Sequence, residues 1–345
     1  MNLQNWYRKR SVVQVTLLAV ICSASTLLSC GNQPFELIIQ RQPEKSRPTF
    51  VDWCRDRESL TPEAKHTVEV LLQRAGIFSF DSLDCDKANE KLVSLKKLSF
   101  YGIEISDLKP LQSLTNLTEL DLRNCRIKDI KPLAYLTNLT NLDISGNRQK
   151  IINQMSNTNQ ISDIKPLKSL TKLTRLTIKG NLISDITPLQ SLTNLTYLAA
   201  TDNDIKDIRA LGALTKLTFL GIDHNEITDI TPLQSLTKLR EFYACCNKIN
   251  DITSLQSLTK LTNINLTQNK ISDITPLQSL TTLTGLGLES NDISDIKPLQ
   301  SLTNLTSLRL QGNKIRDTKP LESLTKLTHK PCGEGGSCWG RGRLW

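Results

Sequence analysis

The chain has 345 residues, 38% of them hydrophobic and 5% aromatic, with 43 Lys and Arg against 34 Asp and Glu for a formal net charge of +9. Three of the positive charges, Arg8, Lys9 and Arg10, fall in an N-terminal leader, so a processed chain keeps an excess of about +6 on a mixed-sign surface, which excludes a nucleic-acid footprint. With only three histidines, His66, His224 and His329, and no Ser/His/Asp arrangement or phosphate-cradling glycine loop, the chain is read as a non-enzyme without cofactor or small-molecule substrate.

Arg8, Lys9 and Arg10 precede an apolar run from Val12 to about Leu28, the charged-then-apolar order of an export signal, and residues 1–29 are assigned to one. The run closes on Leu27-Leu28-Ser29-Cys30-Gly31, which resembles the bacterial lipoprotein box; the resemblance implies that Cys30 is acylated and becomes the mature N-terminus. Ordinary cleavage between Ala24 and Ser29 is one alternative, and an uncleaved anchor of about 18 apolar-leaning residues is another. All three leave the chain exported and membrane-associated or free outside the cytoplasm. Residues 30–50, with three prolines and mixed charge, read as a flexible tether.

Residues 51–91 read as a helical N-terminal cap. Thr61-Pro62-Glu63 leads into Val68, Val70, Leu71 and Leu72 and ends at Gly76, the pattern of an N-capped amphipathic helix with proline in its first turn. Cys54 and Cys85 bracket that helix and are expected to form a disulfide, two unpaired buried thiols being the competing reading.

From residue 92 to 328 a block of the form LTxLTxLxLxxNxISDITPLQS recurs every 22 residues, starting at Leu92, Leu114 and Leu136 and, after one interruption, at Leu170, Leu192, Leu214, Leu236, Leu258, Leu280, Leu302 and a truncated Leu324. A period of this length, with leucines spaced along a strand segment and Asn after it, is the leucine-rich-repeat pattern. In the copy around Leu217, that residue, Leu220 and Ile222 point inward while Phe219 and Gly221 point outward, as a short strand requires. Asn225 turns inward to bond backbone groups freed where the chain leaves the strand, and Asn147, Asn181, Asn203, Asn247, Asn269, Asn291 and Asn313 are expected to repeat the device. Cys125 replaces Asn in this ladder and reads as structural. Pro232 and Leu233 then fit a tight turn or short 3₁₀ segment on the opposite side. No coil buries its leucines alone, so the coils must stack and the array needs end caps.

An insertion at about 148–160, rich in Asn and Gln, follows Asn147 and must bulge from one edge; a ligand-hooking loop and a tolerated neutral insertion are both open. The tail 329–345, His-Lys-Pro-Cys onward, carries none of the repeat's leucines. It is either a frame-shifted end or a native tail in which Cys332 and Cys338 pair, and exposed Leu305, Leu308 and Leu310 beneath a poorly covered last coil would let the array fray.

The strings ISDITPLQSLTNLT from Ile183 and ISDIKPLQSLTNLT from Ile293 resemble the 22-residue repeat of bacterial internalins and related secreted leucine-rich-repeat proteins. The resemblance implies an α/β fold: a curved leucine-rich-repeat solenoid with a parallel concave sheet, a turn and 3₁₀ convex side and a small helical N-terminal cap. It also implies a protein ligand on the concave face, without naming it.

Laid side by side, the outward strand positions form rows whose members are about 4.8 Å apart. Aromatics cluster mid-row: Tyr197 and Phe219 are adjacent, Tyr243 lies one row across, and Ala199 and Gly221 beside them should leave a shallow depression rimmed by Arg175 and Glu241. Aromatic anchors with a rim arginine are the usual energetic centre of an interface; sporadic drift of outward positions is the competing explanation. Asp202, His224 and Cys246 share one post-strand position, with Asp223 and Cys245 alongside, but Cys-x-x-Cys spacing is missing and no metal site is assigned. The reading is a non-catalytic extracytoplasmic recognition module. A structural or degenerate envelope lipoprotein and an intracellular scaffold regulating an enzyme are the alternatives.

Overall fold

The computed structural model describes residues 48–78, 84–146 and 159–328. The expected signal sequence, Cys30, most of the tether, Asn147, most of the insertion and the tail with Cys332 and Cys338 lie outside them.

Three helices precede the repeats. Helix α1 (Phe50–Arg55) opens at the last residue assigned to the tether, because Thr49 and Asp52 form a reciprocal capping box, with the Asp52 carboxylate accepting the Thr49 N–H at 2.6 Å. Helix α2 (Pro62–Arg74) starts at the Thr61 cap, whose hydroxyl accepts the Ala64 N–H, and is followed by Gly76 in the left-handed region at φ 76°. Helix α3 (Cys85–Ser94) is capped by Asp84 and joined to α1 through a Cys54–Cys85 disulfide, Cα atoms 5.8 Å apart. It runs through Leu92, so the first of the expected repeat leucines sits on a helix, fully buried. Val68, Leu71 and Leu72 on α2 are also fully buried and join the core of the first coil, and the Thr67 hydroxyl donates to the Asp107 carbonyl at 2.8 Å to tie the helix to it.

Ten strands follow among the described residues: β1 (Lys97–Ser99), β2 (Glu119–Asp121), β3 (Asn141–Asp143), β4 (Arg175–Thr177), β5 (Tyr197–Ala199), β6 (Phe219–Gly221), β7 (Glu241–Tyr243), β8 (Asn263–Asn265), β9 (Gly285–Gly287) and β10 (Ser307–Arg309). They form one parallel sheet in sequence order, each pairing with the next coil's equivalent residue, so Tyr197 stands opposite Phe219, Phe219 opposite Glu241 and Gly221 opposite Tyr243. The middle residue of each strand faces inward; Leu198, Leu220 and Phe242 are fully buried.

The ladder asparagines close each coil. Asn203 accepts the Ile183 N–H at 3.1 Å and donates to the carbonyls of Ile178 at 3.0 Å and Ala200 at 3.2 Å. The residue before most of them adopts left-handed backbone: Gly180, Asp202, His224, Cys246, Gln268, Ser290 and Gly312 all have φ between 52° and 73°. In the interrupted coil the ladder residue is Asn159, whose Oδ1 accepts the Ile127 N–H at 2.9 Å and whose amide donates to the Leu122 carbonyl at 2.8 Å. The insertion therefore enters ahead of the ladder residue rather than behind it. Cys125, fully buried, turns its thiol to the Phe100 carbonyl, and burial, together with the charge of Asp121, pushes its pKa up to about 12.

On the opposite side short 3₁₀ segments such as Thr187–Ser191 and Thr231–Ser235 repeat. Each is opened by an aspartate: Asp185 accepts the Thr187 N–H and Asp229 the Thr231 N–H, both at 2.8 Å. Those exposed carboxylates are hydrogen-bonded into the turns, and on the same side Lys172 reaches Asn138 and Lys326 reaches Asn304, both at 2.7 Å. The Asn of the Asn-Leu-Thr triplets bonds the previous coil, as Asn194 does to the Thr171 carbonyl at 2.9 Å. At the C-terminal end Leu305, Leu308 and Leu310 are buried, so the condition under which the array would fray there is not met; Ile315 and Leu327 are only partly covered.

Candidate functional site

The outward rows bring all five expected partner-binding residues together. Tyr197 and Phe219 stack with ring centroids 4.2 Å apart and planes 10° from parallel, and Tyr243 follows at 5.5 Å and 39° from Phe219. The Arg175 guanidinium lies 3.4 Å from the Tyr197 ring centre, capping one end by a cation–π contact. At the other end the Tyr243 hydroxyl donates to the Glu241 carboxylate at 3.0 Å. Burial, then that bond to an anion, pushes the Tyr243 pKa up to about 12. The result is a continuous ladder running from a cation, across three rings, to an anion, with each ring half-buried.

The depression expected beside the rings is not there. Ala199 is fully covered, and a Cβ placed at Gly221 would sit 3.3 Å from Phe219 Cε1, so the Phe219 ring lies over the glycine. The small residues let the rings fold flat onto the sheet, which turns a pocket into a smooth aromatic surface.

A hollow does exist one step toward the N-terminus, missed in the sequence because no aromatic marks it. An open trough of about 480 Å³ runs over the outer faces of β1 to β4, floored by Leu98, Leu120 and Leu142 and walled by Asp121, Asp143 and Arg175. Arg123 crosses it, bonding Asp121 at 2.7 Å and lying 3.7 Å from Asp143. Burial alone would raise the Asp121 pKa, but the hydrogen bonds and charge of Arg123 outweigh it and hold the carboxyl below its usual range. Arg175 thus belongs to both the ladder and the trough. Among the described residues the His224, Cys245 and Cys246 side chains form the grouping suited to a metal ion.

The sequence matches the family described as leucine rich repeats, in two-copy units, over residues 115–157, 193–235, 237–279 and 281–329. Solved structures are similar over most of the chain. An internalin from Listeria monocytogenes is 29% identical, with 79% of this chain and 95% of that one covered and a TM-score of 0.52. Internalin C2 from the same organism is 29% identical over 77% and 98% of the two chains, TM-score 0.55. A leucine-rich-repeat protein of Leptospira interrogans is 27% identical over 69% and 61%, TM-score 0.62. No curated protein matches. A parallel one-sheet solenoid of this kind defines a repeat protein that presents a surface rather than a cleft. The chain belongs to the leucine-rich-repeat family, and its repeats are of the internalin type.

Proposed function

We propose that this chain is a non-catalytic recognition module that binds a protein partner through the sheet face, with Arg175, Tyr197, Phe219, Tyr243 and Glu241 as the centre of the contact. The carrying observation is the ladder itself: three half-buried rings on adjacent coils, held flat by stacking and capped by opposite charges. Stacked rings lose little side-chain freedom on binding, and aromatic and arginine anchors carry a disproportionate share of interface energy. Internalin-type repeats support a protein ligand as the class of partner. The same reading places the chain outside the cytoplasm, tethered through acylated Cys30 or an uncleaved leader; no helix among the described residues is long and apolar enough to cross a membrane.

Replacing Tyr197 and Phe219 together by Ala should abolish retrieval of the partner from envelope extracts; because the two rings are half-buried and stacked the urea midpoint should fall as well, and a cooperative melt shows that the variant is still folded at the assay temperature. Retrieval equal to wild type would exclude the ladder as the binding centre. Mass spectrometry of the mature N-terminus separately distinguishes the two tethers: an intact Met1 contradicts both cleavage and acylation and leaves the uncleaved leader.

A further inference from the structure

We propose that His224, Cys245 and Cys246 form a zinc-binding site at the edge of the sheet face, independent of whether the aromatic ladder binds a partner. The ligand atoms of the three side chains all lie within 4.8 Å of one another and are half-covered. Cys245 Sγ is 3.0 Å from Cys246 Sγ and 4.0 Å from His224 Nε2. Tetrahedral zinc with bonds of about 2.3 Å to sulfur and about 2.1 Å to nitrogen needs ligand separations of roughly 3.5 to 3.8 Å, so only small side-chain rotations are required.

The repeat architecture supplies what the linear spacing lacks. Zinc sites on irregular chains use Cys-x-x-Cys pairs to bring two thiolates together; here His224 and Cys245 are 21 residues apart and meet because their coils stack in register. The frame is fixed by backbone bonds at the site: the His224 N–H donates to the Cys245 carbonyl and the Cys246 N–H to the Thr267 carbonyl, both at 2.9 Å. The Cys245 N–H donates to the Asp223 carboxylate at 2.8 Å. His224 and Cys246 leave the chain from left-handed backbone at φ 52° and 58°, a conformation equivalent positions give to Gly, Asp, Gln or Ser. The ligands are thus held by a rigid edge, which lowers the ordering cost of binding.

An ordinary cysteine, with a pKa of about 8.5, carries its thiol proton at neutral pH. Binding then replaces two S–H bonds by two Zn–S bonds, coordinates one imidazole nitrogen and releases two protons to solvent, with no change of oxidation state. Three protein ligands leave a fourth position for water.

The test uses the full chain, reduced and kept anaerobic. Cobalt(II), a coloured substitute for zinc, should give sulfur-to-metal charge-transfer absorption at one equivalent beyond that of a Cys245→Ser/Cys246→Ser variant, and zinc should bleach it. His224→Gln should weaken that equivalent by at least about tenfold. Should either variant fold poorly, alkylation followed by peptide mapping on the wild-type chain decides: equimolar zinc, but not equimolar magnesium, should slow labelling of Cys245 and Cys246 at least about tenfold. Absence of the extra equivalent, unprotected thiols, or recovery of a Cys245–Cys246 disulfide despite supplied zinc would each overturn the site.

Discussion

A buried amide such as Asn203 is stabilising only because every polar atom it carries is used. Its carbonyl takes the Ile183 N–H and its amide group satisfies the Ile178 and Ala200 carbonyls, linking two consecutive coils from a fully buried position. Asn203→Ala strands those backbone groups away from water and should lower the unfolding free energy by about 2 to 4 kcal/mol. Asn263→Ala, outward on β8, should change it by less than about 0.5 kcal/mol, so urea melts of the pair isolate burial from residue type. Equal losses would mean the ladder adds nothing specific. Most of the ladder was legible because its period is that of the leucines. In the interrupted coil the signal for the ladder residue is downstream, where Asn159 stands two residues before Ile161 as Asn181 stands two before Ile183.

The helical cap is an element whose long helix was readable from Thr61-Pro62 and Gly76, whereas α1, which falls inside the assigned cap except for Phe50, was not singled out because six residues carry too little periodicity to register. Its consequence is structural cover: α1 to α3 shield Leu92, Leu98 and Phe100, which would otherwise form the exposed end of the stack. The Cys54–Cys85 bond closes a segment with a sequence separation of 31, and removing it by a Cys54→Ala/Cys85→Ala change should cost about 3 to 4 kcal/mol through the loosened unfolded state. Because each coil touches only its neighbours, the loss should be local. Hydrogen exchange should speed up in α1, α3 and β1 while β6 to β8 stay protected; uniform acceleration would show that the cap and array unfold as one. The ladder of rings was equally legible, since strand alternation places Tyr197, Phe219 and Tyr243 outward. Its flatness was not, because closing the hollow over Ala199 and Gly221 depends on ring torsions that residue order does not carry.

Over the whole molecule, small repeated contributions act together, and the aspartates of the 3₁₀ turns show how. Asp185 and its equivalents Asp207, Asp251 and Asp273 accept hydrogen bonds from the residue two places on, chiefly the side chains of Thr187, Arg209, Thr253 and Thr275 with their backbone N–H groups, and each pKa lies below the ordinary carboxylate value. A folded value below the unfolded one means the bond stabilises the fold fully above about pH 4 and is lost as pH falls through the lowered folded pKa. Each carboxylate is exposed, so any one is worth little. In a stack where coil and interface energies sum, losing four at once weakens two adjacent pairs of turns, on either side of the Asp229 turn, in the same pH interval. Replacing all four by Asn keeps an acceptor oxygen at the turn while removing the titration. The thermal midpoint of the wild-type chain should therefore fall as pH drops below about 4, and that of the Asp→Asn variant should fall less over the same range. An identical drop in both chains would place the acid sensitivity elsewhere, in pairs such as Asp121 with Arg123 on the sheet face.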